Sequence, residues 1–450
     1  MDRRRFLKVA GIAGLSLMAP IAVRDKAARA GSGAYRGPYW IMLNAAGGWD
    51  ATMLCDPKGG AMGNAMSVDQ AYTAGSIGKA GNLSYAPISY SSNGTMVMSA
   101  DTFFQKNYKR LMVINGVDTQ TNNHDAGTQT MWSGQLSSGY PSFAAMAAAA
   151  ASTAMPMPVP LAYVSNGGYD ATAGILSLTR VGDPSALENL AFPNVMNPAM
   201  PSAGQYHTTG TAARISAAQA ARLQSLGPKQ SLPMVTDAMN ALYLAHQSDD
   251  GLVALGNELK GVQLVTTANF PDLSGAGNLD DLTNLLQQVQ LSLACFKSGV
   301  AVSANLNYGG FDTHSNNDAQ QERQLMILLR GLDYLFTQID ALGLTNQVSV
   351  VVGSDFSRTP YYNAGNGKDH WNITSMMFSG PKIPGNKVLG GTDATFTSVN
   401  VDPNTLQPSM AGERITTTNV HIALRALDGL TGSALDTQFP LAGDTMPLFS

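Results

Sequence analysis

The chain has little that could brace a fold from outside its own core. Its 450 residues include only two cysteines, Cys55 and Cys295, so no disulfide framework holds it. One bridge is the most that two thiols allow, and two isolated thiols suit buried packing equally well. Charged residues make up only 13% of the chain, and beyond the first thirty residues no apolar run is long enough to span a bilayer. No internal repeat is present, and no G-x-S-x-G turn follows an apolar run, which removes the usual scaffold of a serine hydrolase. Histidine is scarce too, with six in the whole chain, so where they fall carries information.

What is present begins with DRRRFLKVAGIAGLSLMAPIAVRDKAARA. Arg3, Arg4, Arg5 and Lys8 form a basic head, Val9 to Val23 a mild apolar stretch, and Ala28-Arg29-Ala30 an A-x-A cleavage site. Residues 1–30 therefore read as a signal peptide. The run Arg3 to Lys8 resembles a twin-arginine export signal, which carries folded cargo. The expected export partner is the twin-arginine translocase, and the expected location is periplasmic or secreted. Removing this segment takes away seven basic and two acidic side chains, so the formal charge goes from -4 to -9. An acidic mature surface argues against nucleic acid as a partner.

Forty-six glycines and 22 prolines describe a loop-rich globular protein. Short apolar runs at 39–43, 111–115, 161–164, 300–306, 348–352 and 376–378 predict strands, and helical spacing is clearest at 282–296 and 319–342. Strand alternating with helix over this length predicts an α/β fold, a mostly parallel sheet sandwiched by helices, over residues 31–450. The region 170–279, rich in Pro, Ala, Asn and Gly, breaks that rhythm and reads as an inserted, largely helical subdomain or lid.

In an open α/β sheet the ligand site lies beyond the carboxyl ends of the strands. The residues that follow the predicted strands are Gly47-Gly48-Trp49-Asp50, then TQTNNHD from Thr119 to Asp125, then Asp312 and His314, then Ser354-Asp355-Phe356-Ser357-Arg358. A loop then brings Lys368-Asp369-His370-Trp371. Asp312 and His314 stand two apart, so in an extended segment they share a face. Any one of these residues is ordinary, since a strand-end Asp is more often a helix cap and a loop His more often hydrogen-bonded. Their coincidence is less so: His124, His314 and His370 all fall at strand ends or the adjoining loop. His207, His246 and His421 read as packing or solvation. A divalent cation takes carboxylate oxygen and imidazole nitrogen together. Asp312, His314 and His370 would form a shell that Asp50 and Asp355 could complete; zinc, manganese and calcium all suit such donors.

The segments GGWDA, NHDAGTQTMWSG, GGFDTH, SDFSRT, GKDHW and MMFSGPKIPGNKVLGG resemble a family of exported bacterial proteins of uncharacterised function, itself similar in fold to alkaline phosphatases, sulfatases and metal-dependent phosphoglycerate mutases. That resemblance implies a metal site in which Asp50 is the first ligand, Asp312 and His314 the later pair, Asp355 the strand-end carboxylate and His370 the last. It implies an anionic ester as substrate, with Thr121 or water as the attacking group, His124 in the catalytic set and Arg358 neutralising the oxyanion. The sequence departs from the enzymes in three ways. Phe356 stands where they place a ligand His, Asp312 and His314 are spaced by two rather than four, and no diagnostic nucleophile follows the second strand. Cys55-Asp56-Pro57-Lys58 resembles the start of a sulfatase signature but lies on the wrong loop. The alternative is a non-catalytic exported binding or envelope-assembly protein on the same fold.

Overall fold

Tyr39–Ala45 (β1) is buried along its whole length. It sits in the middle of an eight-stranded sheet in the computed structural model of the chain, which describes residues 34–60, 71–155, 159–182, 184–198, 200, 204–226, 229, 249–260 and 263–450. The other strands are Met112–Asp118 (β2), Tyr163–Ser165 (β3), Leu178–Arg180 (β4), Ser303–Tyr308 (β5), Val348–Gly353 (β6), Ile373–Ser379 (β7) and Lys387–Gly390 (β8). Their order across the sheet is β8-β2-β7-β6-β1-β5-β3-β4. Every neighbouring pair is parallel except those made by β7, which runs antiparallel to both β6 and β2. The fold is thus α/β with a mostly parallel sheet. Runs such as Val348 to Val352, apolar but for the buried Ser349, are what strands covered on both faces require.

Helices cover both faces. Tyr39 and Trp40 are successive strand residues and so point to opposite sides. Tyr39 stacks on Phe296 with centroids 4.6 Å apart, while Trp40 meets Phe143 edge-on at 4.9 Å. Phe143 opens the helix Phe143–Ala154 (α2), and Phe296 closes Asp280–Lys297 (α3). The long helix Asn317–Ala341 (α4) packs beside α3; His124–Ser133 (α1) and Thr417–Leu427 (α5) pack together beside α2.

The antiparallel sense of β7 goes with the path of the chain before it. A parallel neighbour needs a crossover, usually a helix, that carries the chain back to the opposite edge of the sheet, and no helix lies between β6 and β7. After β6 the chain leaves the carboxyl edge of the sheet, folds through 354–372 and re-enters as β7 beside β6. That excursion carries Asp355, Arg358, Lys368, Asp369 and His370.

Two sequence readings meet different fates here. The signal peptide, residues 1–30, lies outside the described residues. The region 170–279 contributes the three residues of β4 to the edge of the main sheet before turning to helices at Pro184–Ala191, Thr209–Leu226 and Asp249–Lys260. Cys55 and Cys295 are both buried and unpaired, and burial pushes each thiol up to about 12. No described helix is long and apolar enough to cross a membrane.

His421, on α5, is 1% exposed and its Nε2–H donates to the Met131 carbonyl at 2.8 Å. Burial pushes its pKa down to about 4, so in acid the unfolded chain takes a proton that the folded protein refuses. Stability from this site is complete above pH ~6.5 and drains away as the pH falls toward 4, by about 3 kcal/mol in all. His421→Gln keeps an amide donor for Met131 without the titration. Urea midpoints at pH 7 and pH 4.5 on metal-free protein should show a flatter acid limb in the variant, and equal slopes would show that His421 is not the group responsible.

Candidate metal centre

The carboxyl ends of β1, β2, β5 and β6 and the return into β7 deliver their loops to one place. Gly47 and Gly48 follow β1 with φ of 114° and 81°, values that favour glycine. Space excludes a side chain as well: a Cβ would lie 2.7 Å from the Asp312 nitrogen at Gly47 and 2.6 Å from the Phe356 ring at Gly48. The glycine pair of GGWD therefore lets the loops after β1, β5 and β6 close on one another.

At their meeting point three imidazoles face one carboxylate. Asp312 Oδ1 lies 3.6 Å from His124 Nε2, 3.1 Å from His314 Nε2 and 3.6 Å from His370 Nε2, and the Nε2 atoms of His314 and His370 are 3.0 Å apart. His124, Asp312 and His370 have donor atoms that all lie within 4.8 Å of one another. His314 adjoins them at the rim. The other nitrogen of each ring is held by a group that can only accept from it: His124 Nδ1 by Asp355 Oδ2 at 2.5 Å, His314 Nδ1 by Asp369 Oδ1 at 2.9 Å, and His370 Nδ1 by the Asn122 carbonyl at 2.7 Å. In neutral rings these acceptors favour the proton on Nδ1, and the three Nε2 atoms are then the ones available to a ligand.

That donor set fits a divalent cation. Ligand atoms about 2.0–2.2 Å from a tetrahedral ion are roughly 3.3 Å apart, and the separations from Asp312 Oδ1 scatter around this value. Charge agrees. Although partial burial pulls the other way, the Arg358 guanidinium 2.8 Å from Asp312 holds that carboxyl below its usual range. Partial burial also lowers the pKa of His370 and favours its neutral, ligating form. The Asp355 contact raises that of His124, so in the absence of an ion His124 holds a proton more readily than a free imidazole. Phe356 is fully buried, with its ring 4.7 Å from His124 and 4.4 Å from His370; it packs against the inner side of the two rings and offers no donor of its own.

Other residues singled out in the sequence have different surroundings. Asp50 is 0% exposed and its carboxylate is already committed: Oδ2 pairs with Lys368 Nζ at 2.7 Å and accepts from Asn317, while Oδ1 accepts from Thr52 N–H and Oγ1. It stands as the partner of a buried lysine, not as a ligand. Arg358 is equally buried, and its N–H groups go to the carbonyls of Gly47, Gly48 and Lys368 and to Asp312. Buried, and with four of its five donors held by three carbonyls and one carboxylate, it fixes Asp312 and does not face an oxyanion. Thr121 accepts at Oγ1 from the Asn123 N–H, and among the described residues no imidazole or carboxylate bonds to it, so nothing there activates it as a nucleophile. Asp355 touches His124 and the glycine turn. His124 itself stands among the donors.

Lys368 and the Asn122 carbonyl are the functional groups that the sequence did not disclose. A lysine is nearly always exposed, so the Lys of GKDHW carries no sign of burial. A backbone carbonyl has no residue-type signal at all.

Residues 39–423 match the family described as "Protein of unknown function (DUF1501)". The chain belongs to that family. No curated protein matches it. Its fold is similar, at low scores, to several solved structures. Ps i-CgsB in complex with k-i-k-neocarrahexaose is 9% identical with a TM-score of 0.39, the match covering 92% of this chain and 75% of that one. The lipoteichoic acid synthase LtaP from Listeria monocytogenes is 8% identical at 0.33, covering 99% and 80%. The alkaline phosphatase from the Antarctic bacterium TAB5 is 11% identical at 0.27, covering 78% and 94%. None of these similarities bears on chemistry.

Proposed function

We propose that this protein is a metal-dependent hydrolase of phosphate or sulfate esters that uses a single divalent ion. The observation that carries the reading is the common aim of the three Nε2 atoms at Asp312, each imidazole held from behind by its own acceptor. His124, Asp312 and His370 would hold the ion, with His314 as a further donor at the rim. An ion there supplies Lewis acidity and makes a bound water more acidic. The residues supply the rest. Asp312 contributes one negative charge, so a divalent ion and its direct ligands would keep one positive charge toward an anionic ester, while the Asp355 and Asp369 carboxylates stand behind the rings. With the side chains of Asp312 and His314 about half exposed, at 51% and 49%, a substrate can reach the rim. Phe356 closes the inner side. Since neither Phe356 nor Asp50 offers a free donor, one tight ion per chain is expected rather than two.

A second reading, a non-catalytic metal-binding protein of the envelope, is favoured by the absence of an activated hydroxyl at Thr121 and of a free cation at Arg358. Elemental analysis of protein purified without chelator, followed by turnover of aryl phosphate and aryl sulfate esters, separates the two. One ion per chain with turnover that chelator abolishes and added zinc or manganese restores is the expected result. One ion without turnover on either ester class selects the binding reading, and no ion overturns both.

A further inference from the structure

Asp355 ends β6 with the geometry of a support. Its side chain is 2% exposed. Oδ1 accepts the N–H groups of Gly47 and Gly48, both at 2.9 Å, and Oδ2 meets His124 Nδ1 at 2.5 Å. Two successive glycine N–H groups converging on one carboxylate oxygen form a small anion-binding nest. The nest fixes which oxygen faces which partner: Oδ1 is pinned to the turn, and Oδ2 is left for the imidazole.

We propose that Asp355 is the positioning residue of the centre, holding His124 as the Nδ1–H tautomer so that its Nε2 lone pair points at Asp312, and tying that imidazole to the Gly47–Gly48 turn. This rests on the metal reading above. A carboxylate behind a ligating imidazole fixes ring orientation and tautomer, and losing such a partner typically weakens metal binding by about 10–100-fold.

The nest makes the test sharp. In Asp355→Asn the amide oxygen must face the two glycine N–H groups, which turns the NH2 toward His124. Nδ1 then has to accept, the ring proton moves to Nε2, and the nitrogen that should meet the ion is blocked. Zinc affinity, measured by competition with a chelating dye, should fall at least about tenfold in the variant. Nitrogen-15 spectra of the zinc-free proteins at pH 8 should show His124 as Nδ1–H in wild type and Nε2–H in the variant. His370, whose Nδ1 faces the Asn122 carbonyl, should keep its tautomer in both. A merely structural role would lower stability without moving the ring proton.

Wild-type zinc binding with unchanged affinity and tautomer in Asp355→Asn overturns the proposal and leaves the metal centre standing. Should the variant fail to fold, the wild-type spectrum still decides, because an Nε2–H tautomer at His124 there overturns the proposal outright. Wild type that binds no zinc overturns the metal reading on which the proposal depends.

Discussion

Replacing Lys368 with methionine is expected to cost about 3–5 kcal/mol of folding stability, the usual penalty for leaving a buried charge without its partner. Lys368 Nζ and Asp50 Oδ2 are 2.7 Å apart with both side chains 0% exposed. The methionine would fill much of the lysine's volume but supply no charge or donor, so the Asp50 carboxylate would keep the bonds from Thr52 and Asn317 and lose its counterion. Making Asp50→Asn as well removes the orphaned charge, and the double variant should recover most of the loss. Urea denaturation of the metal-free proteins measures all three. A loss below about 1 kcal/mol in Lys368→Met, or a double variant worse than either single, would mean that water or another group compensates the carboxylate. The pair also matters to the centre. It joins the loop after β1 to the segment that carries Asp369 and His370, so Lys368→Met should weaken zinc binding even where the variant is still folded.

Removing any one of His124, Asp312 or His370 should abolish tight metal binding. Each alanine variant is expected to lose at least about a thousandfold in zinc affinity, and with it the roughly 4 kcal/mol by which zinc at a thousand times its dissociation constant stabilises the wild type. Because the three share one ion, double variants should melt little below the singles when zinc is present. His314→Ala should weaken binding by less, since the other three donors still close on the ion. Thermal melts with and without zinc, paired with dye competition, give both quantities. Additive losses across the doubles, or singles that still bind zinc tightly, would show three unrelated structural residues.

Much of this architecture follows from the chain read by itself. The strands are legible because burial on both faces favours runs that are nearly all apolar, as in Val348 to Val352, where Ser349 alone is polar. The long helices are legible from their spacing. The meeting of His124, Asp312, His314 and His370 was foreshadowed because loops at the carboxyl edge of a parallel sheet converge, and these residues follow strands or the return into one. The two-residue spacing of Asp312 and His314 is enough to bring Oδ1 and Nε2 to 3.1 Å.

What the tertiary structure decided is the job of each charged side chain, because that depends on which loops touch. In sequence Asp50, Asp355 and Asp312 are equivalent strand-end carboxylates. In the fold Asp50 meets a lysine 318 positions away and is neutralised, Asp355 meets a glycine nest and an imidazole and becomes a support, and Asp312 is left half exposed with its oxygen facing three nitrogens. Arg358 is read from sequence as a free cation beside a substrate, but its side chain is 0% exposed and four of its five N–H donors are held by three carbonyls and Asp312. The antiparallel sense of β7 is likewise invisible, since an apolar run such as Met376 to Phe378 has no direction until the excursion before it stays at the carboxyl edge and re-enters the sheet from there. Residue type and spacing determine which groups are brought to the edge of the sheet; burial and pairing across hundreds of residues determine which of them remains free to act.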